Sequence, residues 1–215
     1  MKNKMGKLKC DFRVVGPVQT NCYFLSEEET KECVVIDPGA EAGNLLSYIE
    51  KKGLHVTAIL LTHGHFDHIL AVDSLKNALN VPVYAAEAEK EVLLDADVNL
   101  SIQMGASVTV EADKWLQDGE KLEMLGQGMR CILTPGHTSG GMCFYFPKAG
   151  ILFSGDTLFQ ESVGRTDFPT GSMGTLIRSV REKLFVLPKA VRVYPGHGMM
   201  TSIENEAMYN PYAAV

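Results

Sequence analysis

The sequence predicts an α/β fold in which two β-sheets pack as a sandwich and helices cover them. Strand-length runs rich in β-branched and aromatic residues recur in both halves of the chain, and amphipathic helical segments are interspersed among them. With 215 residues and 46% hydrophobic content, the chain can bury a full core without crosslinks. The order of elements alone leaves a doubly wound sheet open as the alternative. No low-complexity tract, solenoid repeat or Pro/Ser-rich linker marks a boundary, so residues 1–215 are expected to form a single domain.

The chain opens on CDFRVVGP, NCYFLSE and ECVVIDPG, runs bounded by Gly, Pro or Asn that suggest an antiparallel meander. EAGNLLSYIEKKG follows as a helix, with Leu45, Leu46 and Ile49 on one face and Gly53 stopping it. HVTAILL reads as a buried strand. The next helix begins near Asp67 and His68, carries Ala71, Leu75, Ala78 and Leu79 on one face and ends before Pro82. VPVYAA and AEAEKEVLLD add a strand and a helix, whereas residues 90–118 show the least pattern and are expected to form a surface excursion. Strands return in EKLEML, MRCILTPG, MCFYF and GILFSGD, separated by turn residues. GTLIRSVREKLFVLP, with Leu176, Ile177, Val180 and Leu184 on one face, is a long amphipathic helix, and VRVYPGHG closes the set as a strand.

A formal net charge of -6 argues against a broad basic surface for nucleic acid or an anionic membrane. Any anionic ligand must then meet locally placed Lys or Arg. The five cysteines, at 10, 22, 33, 131 and 143, are scattered and lack CxxC spacing, which fits reduced thiols in a cytoplasmic protein. The basic start MKNKMGKLKCDF is followed by no apolar stretch of signal-peptide length, and nothing approaches the roughly 20 apolar residues of a membrane span. The expectation is a cytoplasmic protein with a small-molecule substrate and no nucleic-acid or membrane partner, its oligomeric state left open.

Five of the six histidines fall in three short segments, each after a strand-like run. His55, in LHVTAIL, stands apart and reads as an edge-strand residue without a functional role. In THGHFDH, residues 62–68, His63 and His65 flank Gly64, which lets the backbone turn so that both can converge on one ion. Asp67 and His68 lie just beyond, at the start of a helix, where they can address a second ion. His137 in TPGHTSGG, Asp156 in LFSGDTLF and His197 in YPGHG would each pass alone for a turn residue. Together they give three strand ends that each deliver one ligand type beside a glycine. His63, His65 and His137 would then hold one ion, Asp67, His68 and His197 the other, and Asp156 both. A carboxylate-bridged pair keeps a water or hydroxide between the ions and lowers its pKa toward neutrality. Asp37 in IDPG and Thr138 beside His137 are candidates for outer support that spacing does not establish.

THGHFDH, followed in order by TPGHTSG, SGDTLF and YPGHG, resembles the metallo-β-lactamase superfamily over nearly the whole chain. The resemblance implies an αββα sandwich and carries metal-ligand roles to His63, His65, Asp67, His68, His137, Asp156 and His197, with no position missing. DTLF followed by VGRTDFP resembles the glyoxalase II-like hydrolases, which cleave hydroxyacyl thioesters of glutathione at a dinuclear zinc site. The implied cofactor is two Zn2+, with Fe or Mn as alternatives in one or both sites. The implied substrate is an acyl or hydroxyacyl thioester similar to S-lactoylglutathione, attacked by the bridging hydroxide, with Asp67 orienting the nucleophile and accepting its proton. Asp156 stands where the best-known class of zinc β-lactamases carries a cysteine, so the resemblance points away from antibiotics.

Arg165 occupies the loop after DTLF where glutathione-using members similarly carry a basic residue for a carboxylate, and Asp167 is its competing salt-bridge partner. Longer glyoxalase II enzymes add a carboxy-terminal helical region; only residues 198–215 follow His197, so none is expected here and the thiol carrier is left open. Two alternatives stand beside the hydrolase. GRTDF also resembles a stretch of persulfide dioxygenases, which hold a single iron by two histidines and a carboxylate, a set that His63, His137 and Asp156 could reproduce. The other is a non-catalytic metal-bound scaffold, disfavoured because all seven ligand positions are filled.

Overall fold

The computed structural model describes residues 6–214; residues 1–5, the first part of the basic start, and Val215 lie outside the described residues. The opening meander forms as expected from β1 (Leu8–Val15), β2 (Thr20–Glu27) and β3 (Glu32–Ile36), paired antiparallel. Three further strands, β4 (His55–Leu60), β5 (Val83–Ala86) and β6 (Lys114–Leu116), extend this sheet in parallel and in chain order. Parallel neighbours need a crossover. The crossover from β3 to β4 is α1 (Ala42–Lys52), which ends where Gly53 enters the left-handed region at φ 61 and returns its N–H to Glu50 and Ile49 carbonyls.

The second sheet is built from β7 (Lys121–Met124), β8 (Gln127–Leu133), β9 (Met142–Phe146) and β10 (Ile151–Gly155). A short hairpin follows, β11 (Leu158–Phe159) and β12 (Ser162–Val163), before the chain returns to the sheet as β13 (Arg192–Pro195) and β14 (Thr201–Ser202). Its strand order is β14-β13-β10-β9-β8-β7. Two separate six-stranded sheets remove the doubly wound alternative.

Side-chain alternation explains why both sheets read as continuous apolar runs. Along β2, Tyr23 and Leu25 face the other sheet while Cys22 and Phe24 face the helices; on β9, Met142, Phe144 and Phe146 face inward while Cys143 and Tyr145 face outward. Strands buried on both faces have no polar side to show. Leu45 and Ile49 of α1 cover the first sheet. Leu176 of α5 (Met173–Ser179), with Val180 and Leu184 of the π-helical turn that continues it, covers the second. The layers are therefore helix, sheet, sheet, helix: the αββα sandwich.

Two expected elements differ. The helix from Asp67 to Leu79 is split into α2 (Phe66–Ile69) and α3 (Val72–Leu79). Ala71 N–H donates to the Pro38 carbonyl at 3.0 Å instead of to the preceding turn, so the two pieces are free to differ in direction. The stretch 90–118 is not all surface. It contains α4 (Lys90–Leu94), a 3-10 turn at Ser101–Met104 and the edge strand β6, and it places Val92, Leu93, Val110 and Leu116 in the core. A three-residue strand is too short to display a period.

Candidate metal centre

All seven candidate ligands gather on one rim, beyond the carboxyl ends of four strands. His63 follows β4, His65 stands at the start of α2, and Asp67 and His68 lie within it. His137 sits in the turn from β8 to β9, Asp156 directly after β10 and His197 after β13. His55 is exposed at the other end of β4, as its lone position suggested.

Ring nitrogens meet at short range. His137 Nε2 lies 2.9 Å from His65 Nδ1 and 3.2 Å from His63 Nε2. For ligands on a tetrahedral ion at about 2.0–2.1 Å the expected edge is about 3.3 Å, so this triangle fits a cation. The second group is Asp67, His68 and His197: His197 Nε2 and His68 Nε2 lie 3.2 and 3.4 Å from Asp67 Oδ2. Asp156 stands between the groups, with Oδ1 3.5 Å from His68 Nε2 and Oδ2 3.6 and 3.5 Å from the Nε2 atoms of His137 and His197.

Neighbouring acceptors fix the tautomers. His137 Nδ1 donates to the Arg165 carbonyl at 2.7 Å, and His68 Nδ1 donates to Asp37 Oδ2 at 3.0 Å. Thr62 Oγ1 donates to Asp37 Oδ2 at 2.6 Å, which leaves its oxygen to accept from His63 Nδ1 at 3.2 Å. In all three rings Nδ1 is committed to an outward partner and Nε2 is turned to the site, the arrangement of metal-ligating histidines; on His68 an ion would take the place of the Nε2 proton. Asp37 thus supports His68, whereas Thr138 turns away and donates to Glu89.

Electrostatics agree with a cation here. Burial and the surrounding imidazoles push His63 well below the usual histidine value, and His65 down to about 3, so both are neutral and able to donate lone pairs. Burial opposes ionisation of Asp67, but the His68 charge and hydrogen bonds from His197 and Thr20 outweigh it and hold the carboxyl low. His68 Nε2 and Asp156 Oδ1 are buried and have no hydrogen-bond partner among the described residues, which an ion would supply. The residues fit two ions. Backbone must come close as well: a Cβ on Gly196 would collide with Asp156 Oδ1, which accounts for the glycine before His197.

Above this floor opens a cavity of about 440 Å3, walled by Val18, Leu100, Phe159 and Phe168. Arg165 reaches its mouth, but its guanidinium is held by Asp167 through bonds of 2.8 and 2.7 Å and lies 4.0 Å over the Phe168 ring. Several partners had no sequence signal. Thr20 donates to Asp67 Oδ2 at 2.6 Å, and buried Glu89 ties together the His63 and His137 loops; each is a polar residue in an ordinary run.

An αββα sandwich with His and Asp side chains grouped at one rim, where they could hold metal, places the chain among the metal-dependent hydrolases. Residues 15–197 match the metallo-β-lactamase superfamily, and the chain belongs to it. The probable metallo-hydrolase YqgX of Bacillus subtilis is 40% identical over 200 residues, spanning 92% of this chain and 94% of its own. The hydroxyacylglutathione hydrolase GloC of Haemophilus influenzae is 37% identical over 202 residues, with 92% and 94% covered. The B3 metallo-β-lactamase BLEG-1 superposes with a TM-score of 0.91 at 38% identity, covering 96% of this chain and 100% of that one. TTHA1623 in a di-iron-bound form gives 0.84 at 36%, covering 94% and 99%.

Proposed function

We propose that this chain hydrolyses acyl thioesters, hydroxyacyl thioesters similar to S-lactoylglutathione first among them, at a dinuclear zinc site. His63, His65 and His137 would hold one ion and Asp67, His68 and His197 the other, with Asp156 placed to serve both. The observation that carries this reading is Asp156 standing between two complete clusters at the floor of an apolar cavity, and the similarity to GloC supports the substrate class. Two ions bound there supply a water acidified toward neutrality and a Lewis acid for the carbonyl oxygen.

The chain's own groups do the rest. Asp67, kept ionised and steered by the Thr20 hydroxyl, would orient the attacking water, accept its proton as the water oxygen adds to the acyl carbon, and hand that proton to the thiolate released when the C–S bond breaks. A thiolate, with a pKa near ~8.5, leaves with little protonic help. The apolar cavity walls would receive the acyl group, and Arg165 would face the carrier at the mouth. The single-iron alternative would leave His65, Asp67, His68 and His197 turned toward the same space without a role.

The test is a screen of metal-quantified protein against S-D-lactoylglutathione, other acyl thioesters, glutathione persulfide and a chromogenic β-lactam. Turnover of thioesters by protein holding two ions per chain is expected. The β-lactam arm matters because BLEG-1, described as a B3 enzyme, is similar at 38% identity. Oxygen uptake on persulfide by protein with one iron and no thioesterase activity would overturn the proposal, as would turnover of the β-lactam alone.

A further inference from the structure

Glu89 is a carboxylate with 1% of its surface exposed and, among the described residues, no cation as a partner. Its Oε1 accepts the Gly64 N–H at 2.8 Å, between His63 and His65; its Oε2 accepts the Thr138 hydroxyl at 2.9 Å and the Gly140 N–H at 2.8 Å, just beyond His137. The first loop belongs to one sheet and the second to the other. A Cβ on Gly140 would collide with the backbone of Ala88 and Glu89, so the His137 loop lies flush against the turn that carries the carboxylate. Such burial without a counter-ion is costly, and it pushes the carboxyl up to about 7 although the three donors pull it down.

We propose that Glu89 is the positioning residue that sets the spacing of His63, His65 and His137, by clamping the two loops that deliver them. The second cluster is oriented by other groups, Thr20 on Asp67 and Asp37 on His68. Loss of Glu89 should therefore act on one cluster and spare the other, which a general contribution to folding would not do. This rests on the ligand assignment proposed above.

Cobalt titration followed by visible absorption tests it in two backgrounds. His197→Ala leaves the first cluster to be read alone, and His63→Ala leaves the second. Adding Glu89→Gln, which turns a donor toward a donor, should weaken cobalt binding on the order of ten- to a hundredfold in the His197→Ala background and leave the His63→Ala background unchanged. Thr138→Ala removes one of the three bonds and should give a smaller loss in the same background only, which keeps the test open if Glu89→Gln folds poorly. Equal weakening in both backgrounds, or none in the first, would overturn the positioning role while leaving the dinuclear site intact. Wild-type protein that took up fewer than two cobalt ions would overturn both.

Discussion

Among the described residues, Asp156 is the carboxylate that lies near nitrogens of both clusters, Oδ1 beside His68 and Oδ2 beside His137 and His197. Asp156→Ala should therefore strip both ions, whereas His197→Ala should remove chiefly one; elemental analysis after dialysis checks this, and an alanine variant that kept two ions would reject the shared role. His68 offers a second measurement. In metal-free protein, burial alone would strip its proton, but the carboxylates of Asp67, Asp156 and Asp37 hold its pKa up to about 10. Because the folded value stands above the ordinary 6.5, this stabilisation is complete below pH 6.5 and is lost as pH climbs through about 10. Chelated protein should melt at progressively lower temperature across that range, while zinc-loaded protein, where the ion replaces the proton, should fall less. Parallel profiles for the two forms would count against it. At this scale the residues that gather at the rim are legible because THGHFDH and three Gly-flanked residues carry their signal locally. Asp37 could only be named as a candidate, and Glu89 and Thr20 not at all, because their partners lie far along the chain.

Elements long enough to show a period were legible, and those decided by a distant partner were not. α1 was visible from its apolar spacing and Gly53. The break before α3 depends on the Pro38 carbonyl, and β6 exists because it can pair with β5; neither fact is written in the local sequence. The loop after β12 is a further case. VGRTDF suggested a carboxylate-binding arginine, and the structure adds that Arg165 has two jobs: its carbonyl orients His137 and its side chain is paired with Asp167. An anionic carrier bound by Arg165, as proposed, would have to displace Asp167. Asp167→Asn should lower KM for an anionic thioester by roughly three- to tenfold with kcat little changed, and Arg165→Ala should raise it, while a neutral thioester responds to neither. Steady-state kinetics on a charged and an uncharged substrate decide the matter, and equal responses on both would leave the pair a purely structural one.

On the scale of the whole molecule, the seven candidate ligands come together only because two sheets packed face to face end at one rim. The first sheet delivers His63, His65, Asp67 and His68, the second His137, Asp156 and His197. The seam is pinned beside the site by Asn21, whose Nδ2 donates to the carbonyls of Pro195 and Gly198 at 3.0 Å each, on both sides of His197. Its own N–H donates to the Gly196 carbonyl at 2.7 Å. Asn21→Ala keeps that backbone bond and removes the other two, at a cost of about 1–2 kcal/mol, or roughly 2–8 °C in Tm for a domain of this size. If the seam also aims His197, the loss should be larger in zinc-loaded than in chelated protein, because ions that bind the folded state add stability only as long as their ligands stay in place. Tyr23, whose hydroxyl donates to the same Pro195 carbonyl at 2.7 Å, serves as the control. Tyr23→Phe leaves both Asn21 bonds intact and should lower loaded and chelated forms alike. Paired thermal melts of the two variants, with and without zinc, separate the possibilities. Equal losses for Asn21→Ala in both forms would mean that the seam holds the sheets together without aiming His197, and the second cluster would then depend on Asp67 and His68 alone for its geometry.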